Sequence, residues 1–213
     1  LDHPAIVVAG GQPPPGSVSA RLPDATLIVA ADSGYVHARS LGLRPSHLVG
    51  DLDSIPTDAL DEARAAGTEI RAARPDKDET DTELAVAVAV GAGATRLIGV
   101  TGGGGRVDHE LGTLAAFCAC TMPTEVWWAH DLIRILHGPA RLTLDAPDGA
   151  LVSLIPFGGP VTGVTTAGLA YPLADATLDP YRSLGVSNVV SAPSPLVRIT
   201  SGTLLVITPG AAQ

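Results

Sequence analysis

Three acidic clusters carry the chemistry open to this sequence: Gly50-Asp51-Leu52-Asp53-Ser54, Asp76-Lys77-Asp78-Glu79-Thr80-Asp81, and Gly104-Gly105-Arg106-Val107-Asp108-His109. Converging carboxylates repel one another unless they are protonated or bridged by a cation, so three such sets point to a divalent metal site. In Asp51-Leu52-Asp53 an extended chain turns side chains two apart toward one face, near enough for two carboxylates to share a hydrated ion. Magnesium suits them, because it prefers oxygen ligands and keeps several waters while gripping phosphates. Magnesium-dependent phosphate chemistry is therefore expected. Taken alone, the same stretch also reads as a polar turn capping a helix at Pro56 and Thr57.

In the second cluster, Thr80-Asp81-Thr82-Glu83 is a capping-box pattern, with Thr80 receiving a helix amide and Glu83 reaching back. Asp81 also favours the positive helix end. The cap leaves Asp76 and Asp78 unexplained, and these are the expected ligand or metal contacts. Lys77, the only lysine beside twelve arginines, reads either as ligand-directed or as local charge balance. Gly102 to Gly105 follow a strand and open a helix, where exposed amides and the helix dipole receive phosphate. This is no Walker loop, since Arg106 stands where Lys-Ser or Lys-Thr is required. A guanidinium there suits bidentate clamping of phosphate oxygens. Asp108 would repel a bare phosphate but accept one carried by a metal, although Arg106 and Asp108 also read as an ordinary ion pair with a cap. His109 by itself reads more readily as a structural histidine than as a base. Asp32, in Ala31-Asp32-Ser33-Gly34, leaves a strand where acids meet a ribose or begin a turn.

Positioning these residues requires a particular frame. Residues 5–8, 26–31, 47–49, 69–71 and 96–100 read as strands, several continuously apolar, with helices expected over 35–41, 58–66, 81–90 and 108–118. That alternation predicts a doubly wound, mostly parallel α/β domain whose ligands bind beyond the carboxyl ends of the strands. After Trp127 and Trp128 the pattern changes to short β-like runs at 133–136, 141–144, 150–155, 161–165, 183–187, 196–200 and 203–207, parted by Gly, Pro, Asp and Asn. These predict a smaller all-β sandwich. The expected division is 1–130 and 131–213, the second part dimerising and completing a pocket.

With 213 residues and 46% hydrophobic content the chain can bury a substantial core. A net charge of −9 and a pI near 4.9 argue against nucleic acid or an anionic membrane as partner. Cys118 and Cys120 lie two apart in an expected helix, where side chains diverge, so both are expected as buried, reduced thiols. The chain starts at Leu1 without an initiator Met, as expected of a trimmed terminus. With no signal peptide or spanning apolar run, the cytoplasm is the expected location.

Taken in order, Asp32-Ser33-Gly34, Gly50 to Ser54, Asp78-Glu79-Thr80-Asp81, Gly105 to His109, Gly168-Leu169-Ala170-Tyr171-Pro172-Leu173 and Gly185-Val186-Ser187-Asn188 resemble the thiamine pyrophosphokinase family across most of the chain. The resemblance implies transfer of pyrophosphate from ATP to the hydroxyethyl group of thiamine, releasing AMP, by a homodimer with thiamine between subunits. It implies Asp51, Asp53 and Asp78 around Mg²⁺ and the phosphates. Asp81, Arg106 and Asp108 join Asp53 and Asp78 as catalytic candidates. Asp32, Lys77, Thr80, Gly105 and His109 join Asp51 around the nucleotide, and Ser187 and Asn188 lie near the thiamine ring. Some members place a tryptophan of the C-terminal half against that ring, whereas here Trp127 and Trp128 stand near the expected boundary and read as core and interface packing. The rival expectations are a pyrophosphokinase of the same fold acting on another hydroxymethyl heterocycle such as a pterin, and a non-catalytic nucleotide-binding regulator.

Overall fold

A computed structural model of the chain describes residues 2–213. It divides into two compact units, one running through His130 and taking back Ala212–Gln213, the other Asp131–Ala211. The last two residues rejoin the first unit through a hydrogen bond from Ala212 N–H to the His130 carbonyl at 3.0 Å, an ordinary length.

The first unit holds strands β1 (Pro4–Val8), β2 (Leu27–Ala31), β3 (His47–Gly50), β4 (Glu69–Ala72), β5 (Arg96–Thr101) and β6 (Thr124–Trp128). Helices α1 (Gly34–Ser40), α2 (Thr57–Ala65), α3 (Asp81–Gly91) and α4 (Val107–Cys118) connect them. All pairings are parallel, in the order β4-β3-β2-β1-β5-β6. Strands buried on both faces need apolar residues at successive positions, and Ala5 to Val8 of β1 are fully buried. The chain steps outward from β1 to β4, then crosses back to β5 on the other side of β1. That reversal opens a crevice at the carboxyl ends of β1 and β5. Strand β6 lies where no strand is expected from the sequence; its tryptophans belong to a strand paired in parallel with β5.

The second unit is antiparallel throughout. It holds β7 (Asp131–His137), β8 (Ala140–Thr143), β9 (Leu151–Ala167), β10 (Ala176–Leu178), β11 (Asn188–Val189), β12 (Leu196–Ile199) and β13 (Ser201–Thr208). The expected runs 150–155 and 161–165 are one strand. Pro156 to Pro160 bend β9 without ending it, and its register with β13 shifts between Ser201 and Thr203, as at a bulge. Both β13 and β12 therefore pair with β9, at different parts of its length. The expected strand at 183–187 is instead a turn, with Val186 N–H donating to the Ser183 carbonyl, and the pairing strand β11 begins just after it. Val152, Leu154, Val164, Leu178, Val197 and Leu204 are among the residues enclosing the core of this unit.

Among the described residues no helix is long and apolar enough to cross a membrane. Cys118 and Cys120 are buried and form no disulfide, as their spacing predicts.

Candidate functional site

Strand β2 delivers Asp32 to the carboxyl edge of the sheet. Its N–H donates to the Val49 carbonyl at 2.8 Å, tying it to the end of β3, and its backbone turns into the left-handed region at φ 47°. Short polar side chains tolerate that region better than most. The carboxylate is buried. Ser54 Oγ donates to Oδ2, while Oδ1, also buried, has no hydrogen-bond partner. Burial pushes the Asp32 carboxyl above its ordinary range, against the Ser54 hydrogen bond and with the Asp81 and Asp53 charges adding to the rise.

Asp51 and Asp53 converge by a route different from the expected one. Strand β3 ends at Gly50, so pleat alternation does not operate beyond it. Leu52 instead adopts φ 64°, and Asp53 N–H closes a turn onto Asp51 Oδ1 at 3.3 Å. The Leu52 side chain offsets this strain by packing on the cluster of Ala30, Tyr35, Leu48, Ile55 and Ala63. One carboxylate oxygen from each of Asp32, Asp51 and Asp53 then lies within 4.8 Å of the other two.

The loop before α3 supplies the counter-charge, Lys77, and α3 itself adds a fourth carboxylate. The first residue of the helix, Asp81, reaches over the end of β3, and a Cβ at position 50 would stand 3.1 Å from both Asp81 Cγ and Asp32 Cβ. Only glycine, at φ 147°, leaves room for both side chains. Lys77 Nζ lies 3.0 Å from Asp81 Oδ1 and 3.8 Å from Asp51 Oδ2. Burial works to lower the Lys77 ammonium, but the Asp81 hydrogen bond and charge outweigh it, with Asp51 and Asp32 adding, and hold it above its ordinary range. Charge balance and site membership are thus the same fact for this lysine.

The remaining expected residues fall into separate groups. Asp78 lies exposed before α3 and is not one of the three converging carboxylates. Asp76 is paired with Arg74 at 2.5 Å and exposed. Thr80 and Glu83 form the reciprocal cap, Thr80 N–H donating to Glu83 Oε2 at 2.7 Å and Glu83 N–H to Thr80 Oγ1 at 3.2 Å. Beyond β5, Gly102 to Gly105 lead to α4. There Arg106 grips Asp108 with two hydrogen bonds, Nε to Oδ1 at 3.2 Å and Nη2 to Oδ2 at 2.6 Å. That grip holds the Asp108 carboxyl down at about 2. Gly105 and His109 are exposed beside this pair.

In the second unit Ser187 is exposed at φ 58°, its N–H donating to Ser153 Oγ at 3.0 Å. Asn188 is 3% exposed, and its amide is committed to backbone. Nδ2 donates to the Tyr171 carbonyl at 2.7 Å, and Oδ1 accepts from Tyr171 and Val189 N–H at 3.0 and 2.9 Å. Asn188 therefore shapes the Gly168–Leu173 loop, whose Tyr171 stands out 69% exposed.

Sequence reasoning gave Ser54 no role, and none was visible locally: its partner lies 22 residues away, across the β2–β3 pairing. The three carboxylates offer only oxygen, and the partnerless Asp32 Oδ1 is buried among like charges. This donor set fits a hard divalent cation. A cavity of about 530 Å³ elsewhere, lined by Arg71, Ala73, Leu84 and Val88, is mainly apolar, and its arginine already pairs with Glu69.

Residues 19–126 match the family model for the catalytic domain of thiamin pyrophosphokinase, and residues 140–206 the model for its vitamin B1 binding domain. Thiamine pyrophosphokinase 3 of Oryza sativa subsp. japonica is 28% identical over 175 residues, covering 78% of this chain and 66% of that protein. Thiamine pyrophosphokinase 1 of the same plant is 29% identical over 192 residues, covering 85% and 71%. The chain thus spans about two thirds of the length of these relatives. Among solved structures, thiamine pyrophosphokinase from Bacillus subtilis superposes with a TM-score of 0.83 at 23% identity, over 97% of this chain and 98% of that one. The Geobacillus thermodenitrificans protein gives 0.81 at 25%, over 97% of each chain, and the Candida albicans protein 0.80 at 14%, over 98% and 89%.

Proposed function

Because the chain belongs to the thiamin pyrophosphokinase family, we propose that it transfers the terminal pyrophosphate of ATP to the hydroxyethyl oxygen of thiamine, yielding thiamine diphosphate and AMP. The observation that carries this reading is the convergence of Asp32, Asp51 and Asp53 at the carboxyl edge of the sheet, with Lys77 and Asp81 beside them. Asp32, Asp51 and Asp53 would hold Mg²⁺. When bound, the ion neutralises phosphate charge that these carboxylates would otherwise repel.

The protein's own groups do the rest. Lys77 balances the acidic group, and the amides at the start of α4 receive phosphate oxygens. Arg106 exchanges Asp108 for a phosphate, a change of partner that its planar fork favours. The thiamine oxygen forms a bond to the β-phosphorus as the bond from that phosphorus to the oxygen bridging to the α-phosphorus breaks, and AMP leaves with that oxygen. Positioning and charge neutralisation supply most of the acceleration in such transfers. Of the acidic catalytic candidates, Asp78, Asp81 and Asp108 are the ones to weigh as acceptor of the hydroxyl proton. Asp81 is engaged by Lys77 and Asp108 by Arg106, whereas Asp78 has no cationic partner among the described residues. We assign the proton to Asp78, and leave Thr80 and His109 as supports of the nucleotide end.

Thiamine is favoured over a pterin as acceptor because the match at residues 140–206 is to a vitamin B1 binding domain. The homodimer belongs to the same proposal. It is supported by Tyr171, Tyr181, Leu184, Val186 and Leu151, which the second unit leaves 46–93% exposed. Assignment to the cytoplasm is supported by two buried cysteines that form no disulfide.

The test is AMP release from Mg-ATP with thiamine, with a hydroxymethyl pterin, and with no acceptor. Thiamine-dependent AMP is expected, and pterin-dependent AMP would transfer the reading to that substrate. Tight Mg-ATP binding without AMP from any acceptor would instead identify a regulator. Asp53→Asn should lower turnover by about a hundredfold or more while leaving the fold intact, the scale seen when one electrostatic contact to a transition state is removed.

A further inference from the structure

The glycine run Gly102 to Gly105 is not a free loop. Gly102 lies against the carbonyls of Gln12 and Pro13, beyond the end of β1, and a Cβ there would stand 2.6 Å from the Pro13 oxygen. Gly103 is clamped from another direction. At φ 59°, with its N–H directed to Thr101 Oγ1 at 3.3 Å, it leaves no space for a Cβ, which would meet Trp128 Nε1 and stand 2.8 Å from Trp128 Cδ1. The indole edge therefore packs directly on the loop backbone.

Trp128 is itself held in place. It is in register with Thr101 across the β5–β6 pairing, and the next residue, Ala129, donates to the Thr101 carbonyl at 2.8 Å. Its neighbour Trp127 is buried, whereas Trp128 is only half-buried. The two residues after the clamp behave differently: Gly104 and Gly105 are exposed, a Cβ on Gly105 would meet nothing within 4 Å, and among the described residues their N–H groups donate to nothing in the protein. The loop is thus rigid over its first half and presents unpaired donors over its second.

The geometry points to Trp128 as a positioning residue for the nucleotide: its indole sets Gly103 so that the amides leading into α4 are already aligned for phosphate. This rests on the nucleotide reading given above. Trp128 makes none of the bonding changes. Its effect falls on the affinity for Mg-ATP, because a loop left loose must be ordered when the nucleotide arrives.

Trp128→Ala should raise the KM for Mg-ATP by about tenfold, the equilibrium factor for freezing one residue's backbone on binding rather than beforehand. The value of kcat should stay within about threefold, and Trp128→Phe, which keeps a flat ring, should restore most of the loss. A second measurement needs no change at Trp128. In Trp127→Phe the one remaining indole is Trp128, and its emission should shift on adding Mg-ATP, whereas Trp128→Phe, retaining Trp127 alone, should show no shift. If Trp128→Ala fails to fold, that titration decides by itself. Calorimetry of the wild-type protein with Mg-ATP separates the two levels of argument. Binding that is equally tight in Trp128→Ala, or that leaves Trp128 emission unchanged, overturns the positioning role and leaves the nucleotide reading standing. No binding at all overturns both.

Discussion

Replacing Asp32 with asparagine should make the metal-free protein more stable and less able to act. Three carboxylate oxygens within 4.8 Å of one another are costly without a cation. At an effective dielectric constant of about 20, two unit charges that far apart repel by about 3.5 kcal/mol. The substitution deletes two such pairs. Lys77, 3.8 Å from Asp51, already offsets part of that repulsion, and Asp53 is exposed, so solvent screening discounts its share. A net gain of about 1–2 kcal/mol remains. Local costs are small, because asparagine tolerates the φ of 47° at this position and its side-chain oxygen can still accept from Ser54. For a chain of this size the gain corresponds to a rise in Tm of about 3–6 °C. The measurement is thermal unfolding in EDTA, then with Mg²⁺ and ATP. Ligand binding should raise the wild-type Tm, since anything bound only by the native state stabilises it, and the variant should lose most of that rise together with turnover. A variant less stable than wild type in EDTA, or one keeping the full rise with Mg-ATP, would refute an electrostatically strained cation site.

Asn188→Leu preserves volume but removes three hydrogen bonds around Tyr171 and Val189. A loss of about 2–4 kcal/mol is expected, read as a fall in Tm, with a higher KM for thiamine and little change in that for ATP. Carboxylate NMR should find Asp108 titrating near 2, and Arg106→Ala should return it toward 3.8. Because the folded value is depressed, the pair's contribution to stability is complete above the ordinary value and disappears as pH falls toward 2. Burial pushes the Cys118 thiol up to about 12, so in a Cys120→Ser background a thiol reagent at pH 8 should leave the native protein unlabelled and react quickly once urea unfolds it.

Much of this was legible in order of residues alone, and the reasons differ by element. The α3 cap is local: Thr80 and Glu83 are three apart, and helix geometry brings them together wherever the helix forms. The buried strands were legible because a parallel sheet covered on both faces needs continuous apolar runs. Strand β9 was read as two because Pro and Gly usually end strands, and only pairing with both β12 and β13 shows that these bend one. Asp51 and Asp53 were found for their spacing, although the turn at Leu52 rather than strand alternation joins them. Asn188 was marked as a ligand residue, and its buried amide is committed to backbone.

What the chain's chemistry alone determined is therefore the set of charges and the parallel frame, since residue type and short spacing suffice for both. The tertiary fold decided which charges meet. Asp32 reaches Ser54 and Asp81 only because β2 pairs with β3 and α3 packs over their ends, and Trp128 reaches Gly103 only because β6 lies beside β5. Such contacts join residues more than twenty positions apart, and no local periodicity encodes them, because strand order is set by how the whole sheet buries its faces.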